Sequence, residues 1–168
     1  MGKQEKTNAM RLLERAGIPY EAVYYASDGH ALDAVSVAGL LGAPPETVFK
    51  TLVLMGSDGQ PCVCVIPGPE ELDLKKAARA FGVKSLRMLH VEELKPVTGY
   101  VRGGCSPIGM KKPFRTLVDS ACLRQGSVLV SAGQIGAQIR LTPEDLLRAC
   151  SAAALPLCLN AEEPGPGV

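Results

Sequence analysis

Lys50 stands inside the run Val48–Phe49–Lys50–Thr51–Leu52–Val53–Leu54, where a charged residue is least expected. Side chains alternate along a strand, so Lys50 shares one face with Val48, Leu52 and Leu54, while Phe49, Thr51 and Val53 share the other. Neither face reads as the wet one. Taking an ammonium group out of water there costs on the order of several kcal/mol unless acceptors or an anion compensate. Three readings follow: an inward lysine guarding a sheet edge, a long stem snorkelling to solvent, or a cation aimed into a pocket to meet a carbonyl or phosphate oxygen. A second segment, Thr98–Gly99–Tyr100–Val101–Arg102–Gly103–Gly104–Cys105–Ser106–Pro107–Ile108–Gly109, carries paired glycines. Such glycines let backbone approach a ligand closely and present N–H groups as fixed donors. The phosphate-loop pattern Gly-x-x-x-x-Gly-Lys-Ser/Thr is absent. A third segment, Val130–Ser131–Ala132–Gly133, reads as a strand ending in small residues able to line a cavity.

Other reactive residue types are sparse. The histidines are His30 and His90, and no nucleophile-elbow glycine pattern accompanies a serine, so no Ser–His–Asp set is expected. The six cysteines, Cys62, Cys64, Cys105, Cys122, Cys150 and Cys158, contain no CxxC spacing. They are expected to be small buried hydrophobes, with no metal site, no disulfide and no redox pair at Cys62 and Cys64. No cofactor is expected.

The elements that must position these residues are legible in outline. With 168 residues, 46% of them hydrophobic and 21% charged, one globular domain is expected over 1–160, with a flexible tail at 161–168. The absence of an apolar run of ~20 residues or of a secretory leader points to a cytoplasmic protein. Helices are predicted from Thr7 to Ala16, after Asp33 to Leu41, from Asp73 to Phe81, and from the Thr142–Pro143–Glu144–Asp145 opening to about Ala153. Strands are predicted at 20–25, 48–55, 62–66, 83–88, 116–118, 128–131 and 137–141, with Ser57–Asp58–Gly59–Gln60 as a hairpin turn. The stretch 96–113 reads as loop. Strands in the middle with helices around them give an α+β fold with a curved, mostly antiparallel sheet.

Charge is distributed unevenly. Between Lys75 and Arg115 ten basic residues meet two acidic ones, against eight basic and fifteen acidic residues elsewhere. That polarity fits either a face built for a polyanion or an ordinary solvated surface.

In this order, Val48–Phe49–Lys50–Thr51–Leu52, Leu72–Asp73–Leu74–Lys75–Lys76, Thr98–Gly99–Tyr100 through Gly103–Gly104–Cys105–Ser106–Pro107–Ile108–Gly109, Lys111–Lys112, Val118–Asp119 and Val130–Ser131 resemble the YbaK family of aminoacyl-tRNA deacylases. That family is related to the editing domain inserted in bacterial prolyl-tRNA synthetase. The resemblance implies a mixed, barrel-like sheet surrounded by helices, and metal- and cofactor-free hydrolysis of the ester between an amino acid and tRNA. It further implies Lys50 as the catalytic residue, with Tyr25, Thr51, Gly103, Gly104, Ser131 and Gln138 binding substrate. Where similar family members carry an aspartate, Gln138 stands here. Cys105 replaces an aliphatic residue and is expected to pack rather than attack.

The expected reaction is deacylation of Cys-tRNA(Pro), with Lys50 and the Gly103 and Gly104 amides stabilising the oxyanion and the substrate's own thiol attacking the ester. An Ala-tRNA(Pro) deacylase and a non-catalytic module that binds tRNA or a synthetase are the alternatives. The expected partners are aminoacylated tRNA(Pro) and prolyl-tRNA synthetase; neither a membrane nor DNA is expected.

Overall fold

Thr7 accepts a hydrogen bond from the Met10 amide and opens α1 (Asn8–Arg15), whose Ala9, Met10 and Leu13 form one buried stripe. Residues 5–159 are described by the structure, a computed structural model; the expected tail at 161–168 lies outside the described residues. The chain continues through β1 (Glu21–Tyr24), α2 (Ala34–Leu41), β2 (Phe49–Gly56), β3 (Pro61–Pro67) and α3 (Leu74–Phe81). Then come β4 (Leu86–Met88), α4 (Val91–Thr98), β5 (Arg115–Asp119), β6 (Val128–Gln134), β7 (Ala137–Leu141), α5 (Pro143–Cys150) and β8 (Ala153–Leu155). The two expected caps hold α3 and α5: Asp73 accepts from the Lys75 and Lys76 amides, and Thr142 from the Asp145 amide.

The strands form two sheets, ordered β1–β7–β6 and β4–β2–β3–β5–β8. The β2–β3, β2–β4, β1–β7 and β6–β7 pairs are antiparallel, whereas β3–β5 and β5–β8 are parallel. The fold is therefore α+β and mostly antiparallel, as expected. The sheets do not close into a barrel; they touch at one parallel bridge, Val48 to Leu129.

Between the sheets lies the main core, where Val63, Val65 and Val118 meet Val130, Ile139 and Leu141, with α1 and α5 packed on it. The opposite face of the larger sheet packs Leu54, Cys64 and Ile66 under Ala77 and Ala78 of α3. On the far side of the smaller sheet, Val37 and Ala38 of α2 cover Val48 and Leu129. Both faces of β2 are thus covered, which is why its sequence shows no wet side.

Three local expectations need correction. The loop expected at 96–113 begins instead with α4, which contains Pro96. At its N-terminus Glu93 accepts from the His90 amide at 2.9 Å and holds Arg87 through two contacts, and at its end the Thr98 hydroxyl donates to Leu94 O. The strand expected over 83–88 is reduced to β4. The last helix stops at Cys150, where Ser151 takes a left-handed conformation (φ 49°), and β8 follows in place of the helix end.

Asp119 ties that C-terminal segment down. Its carboxylate is buried and accepts from the Ala121 amide and the Leu157 amide, both at 2.9 Å. Asp119→Ala leaves two buried donors unmatched, each costing about 1–3 kcal/mol, so a loss of at least ~2 kcal/mol is expected in urea denaturation.

Candidate active site

The register of β2 creates the cleft. Along one edge β2 pairs with β3 from Phe49–Pro67 to Met55–Pro61. Along the other, β4 pairs only with Leu54, Met55 and Gly56, and the bridge to β6 sits at Val48. Between these two attachments no strand pairs with the edge carrying Lys50, Thr51 and Leu52, and a cleft of about 340 Å³ opens there. Its walls include Lys50, Thr51, Ser131, Gln138, Gly103 and Arg102, with Asp33 and Cys105.

Lys50 is half-buried, and its Nζ donates to Gly68 O at 3.0 Å. The tether is a neutral carbonyl, so the ammonium is oriented without being neutralised, and protons remain for a ligand. Gly68 is fixed by close approach: a Cβ there would lie 2.7 Å from Ala34 Cβ and 3.0 Å from Val48 O. Of the three sequence readings of Lys50, the pocket-facing one matches this geometry.

Ser131 and Gln138 are rung partners across β6 and β7, which puts both side chains on the cleft side of the smaller sheet. Ser131 Oγ accepts from the Gly133 amide at 3.2 Å, leaving its proton to give. Two buried polar atoms beside the cleft have no partner within the protein, Thr51 Oγ1 and Gln138 Oε1. Native structures rarely leave such atoms unmatched, and both belong to residues that line one cleft.

The 99–110 loop forms the remaining wall. Tyr100 pins it, donating its hydroxyl to Ile108 O and laying its ring against Gly133. Gly103 has φ 84°, and a Cβ there would fall 2.7 Å from Ala31 Cβ. Gly104 abuts the backbone of Gln134 and Ile135, and its amide donates to Val101 O at 3.0 Å.

The structure thus gathers Lys50, Thr51, Gly103, Ser131 and Gln138 around one cleft, but two expected site residues stand elsewhere. Gly104 does not line the cleft, and its amide is spent inside its own turn. Tyr25 is not among the cleft-lining residues; half-buried, it packs against the cluster of Val37, Ala38, Val48 and Leu129, of which Val37 and Val48 do line the cleft. Sequence reasoning missed two charged residues of the cleft, Asp33 and Arg102. Asp33 holds the N-cap position of α2, yet its side chain makes no capping bond to the helix. The Ser36 side chain, with Lys50 contributing less, holds its carboxyl below the ordinary range. Arg102 was readable only as one of ten basic residues.

That basic stretch is only partly free for a polyanion. Arg87 is paired with Glu93 and Arg115 with Asp58, while Lys76 and Lys111 donate to Cys158 O and Pro96 O.

Burial pushes every cysteine thiol up, Cys105, Cys64 and Cys150 to about 12 and Cys122 to about 11. At pH 8 the Cys105 thiolate, with its pKa at about 12, is on the order of one part in ten thousand. Native protein is accordingly expected to take up no iodoacetamide at pH 8 by intact mass, and to take up six after denaturation. Among the described residues no cluster of His, Cys, Asp or Glu is placed to hold a metal ion, and no helix is long and apolar enough to cross a membrane.

Comparison with known proteins gives a consistent result. The family model for the aminoacyl-tRNA editing domain matches residues 28–149. A protein of Enterococcus faecalis assigned as a Cys-tRNA(Pro)/Cys-tRNA(Cys) deacylase, EbsC, is 49% identical over 144 residues, covering 86% of this chain and 88% of that one. The proline–tRNA ligase of Burkholderia thailandensis is 27% identical over 135 residues, which are 78% of this chain but 23% of the ligase. Among solved structures, a protein assigned as a trans-editing enzyme for prolyl-tRNA synthetase superposes with a TM-score of 0.79 at 28% identity, over 92% of this chain and 99% of the other.

Proposed function

We propose, because this chain belongs to the aminoacyl-tRNA editing domain family, that its cleft cleaves the ester of a mischarged tRNA, Cys-tRNA(Pro) in the first place. The chain is an aminoacyl-tRNA deacylase, and it edits in trans. One observation carries the assignment of chemistry to residues: an ammonium group, held only by the neutral Gly68 carbonyl, at a cleft that also contains unmatched polar atoms.

An aminoacyl ester is already activated, so the catalyst has mainly to orient it and to stabilise charge developing on the carbonyl oxygen. Lys50 supplies the charged donor, oriented by the Gly68 carbonyl. Gly103 brings backbone against the substrate, while the Gly104 amide has no part. The cysteines are protonated and the histidines do not line the cleft, so the nucleophile comes with the substrate. The substrate's sulfur attacks its own ester carbonyl carbon; the C–S bond forms and the bond from that carbon to the ribose oxygen breaks. The thiol proton passes to the departing oxygen, giving tRNA with its hydroxyl restored and a four-membered cyclic thioester, which water opens to cysteine. Serine and alanine have no thiol and stay attached. The substrate is charged in the cytoplasm, and the protein works there.

The deciding experiment follows release of labelled amino acid from Cys-tRNA(Pro), Cys-tRNA(Cys), Ser-tRNA(Pro) and Ala-tRNA(Pro), with and without prolyl-tRNA synthetase. Release from the cysteinyl esters and retention on the other two is the expected outcome. Faster release of alanine would replace the thiol mechanism with attack by water, and tight binding without any release would make the protein a non-catalytic module.

A further inference from the structure

An ester lodged in the cleft is the end of a long polyanion, whose phosphates must leave across one of the banks. The banks differ in sign. On the side of α2 and Gly68, Asp33 lines the cleft, and Glu46 and Glu70 stand two residues from the cleft-lining Val48 and Gly68. On the side of the 99–110 loop, Arg102 lines the cleft and is exposed. From Leu94 to Val118 the chain carries Lys95, Arg102, Lys111, Lys112 and Arg115 and no acidic residue. Lys111 is fastened to the start of the loop. Its amide donates to Thr98 O at 3.0 Å, its Nζ donates to Pro96 O at 3.2 Å, and a Cβ on Gly99 would lie 3.3 Å from its Cγ. Gly99 is three residues from Arg102, about 10 Å of chain at most, and Lys95 directly precedes Pro96. Lys95, Arg102 and Lys111 are all exposed, and none forms an ion pair among the described residues. The carbonyl tether on Lys111 leaves its charge uncancelled and protons to give.

We propose that the RNA leaves the cleft across the 99–110 loop, with backbone phosphates of its 3′ end carried by Arg102, Lys111 and Lys95. A polyanion gains by following the positive bank, where each cation releases condensed counterions, and the carboxylates opposite repel it. Tyr100 pins the loop to Ile108 and Gly133, so Arg102 is presented on a fixed wall. Contacts of this kind go to phosphate; they set register and strength without reading sequence. Cys-tRNA(Pro) and Cys-tRNA(Cys) are therefore held alike on this face. The proposal rests on the reading of the cleft as an ester-cleaving site, and it assigns the RNA a face that the reaction alone does not.

The test follows binding of fluorescently labelled, uncharged tRNA(Pro) to the full chain by anisotropy, from about 50 to 200 mM KCl. Arg102→Gln, Lys111→Gln and Lys95→Gln are each expected to weaken binding roughly three- to tenfold at the low-salt end. Each should also lower the slope of log Kd against log salt by about 0.7, the value for one single-strand phosphate contact. Arg124→Gln is the control. Arg124 is exposed, unpaired among the described residues, and follows the end of β5, whereas the basic segment leads into its start. Its slope and turnover are expected to match wild type. Glu46→Gln, on the opposite bank, is expected to bind no more weakly than wild type, a sign that general loss of structure would not produce. Wild-type slopes in Arg102→Gln and Lys111→Gln, an equal fall in Arg124→Gln, or weakening in Glu46→Gln overturns the proposal. Release of cysteine from Cys-tRNA(Pro) is measured in parallel. Lowered slopes in the cation variants with no wild-type turnover sink the ester-cleaving reading and leave the RNA path standing, whereas turnover with unaltered slopes sinks the path alone.

Discussion

Lys50→Ala is expected to lower deacylation of Cys-tRNA(Pro) by about two to three orders of magnitude, the effect of losing a principal oxyanion donor. Stability should barely change. The side chain makes one hydrogen bond, to Gly68 O, and its loss frees a carbonyl beside a cleft that water can fill. Lys50→Met keeps the stem and removes the charge, so it should match alanine in rate and wild type in urea midpoint. Lys50→Arg keeps the charge on a wider, planar head that the Gly68 carbonyl cannot hold in the same place, and a partial loss is expected. Single-turnover release of labelled cysteine measures all three. Wild-type rates in the alanine variant would take Lys50 out of the mechanism.

Gly103→Ala is expected to damage stability and activity together. Its φ of 84° lies where a side chain costs about 1–2 kcal/mol. The new Cβ would also sit 2.7 Å from Ala31 Cβ and 2.9 Å from Ala31 Cα, an overlap of the kind that costs about 1–3 kcal/mol. Relief must come from moving the 99–110 loop away from the segment before α2, and that loop is a wall of the cleft. A drop in kcat/KM should therefore accompany the lower urea midpoint. Ala31→Gly in the same chain removes the clash but not the backbone strain, so it should restore part of both losses. Gly126→Ala, where a Cβ meets open space, serves as the neutral control.

The chemistry of the site was more legible than its walls. Lys50 announced itself because a charge inside an apolar run conflicts with the pattern around it, and such conflicts mark places where something other than packing chose the residue. Ser131 and Gln138 entered through the family resemblance, and only the β6–β7 register shows them side by side. Gly104 and Tyr25 show the limit of this reasoning. A glycine next to a cleft and a glycine packed against a neighbouring backbone carry the same letter, and only the contacts with Gln134 and Ile135 separate them. Tyr25 fits a pocket by size and polarity, yet it packs against the cluster that α2 forms with Val48 and Leu129, a long-range contact that local sequence does not reveal. Asp33 was hidden by a correct reading. It does mark the start of a helix, and nothing in the local sequence says that the same residue also lines the cleft. The α4 helix was masked by Pro96, which stands inside it. Parallel pairing of β8 with β5 was out of reach, since it joins segments separated by two strands and a helix.

The brevity of β4 has a wider consequence. The cleft is an interruption in strand pairing whose inner wall belongs to the cores through Val37, Val48 and Phe49, while Leu32, Arg102 and Ser131 on its rim do not. Leu32, Arg102 and Ser131 can vary in size and charge without opening voids in any of the three cores. Selection can therefore retune which side chain such a protein clears while the scaffold stays constant, and a designer changing its specificity has a short stretch of rim to rewrite.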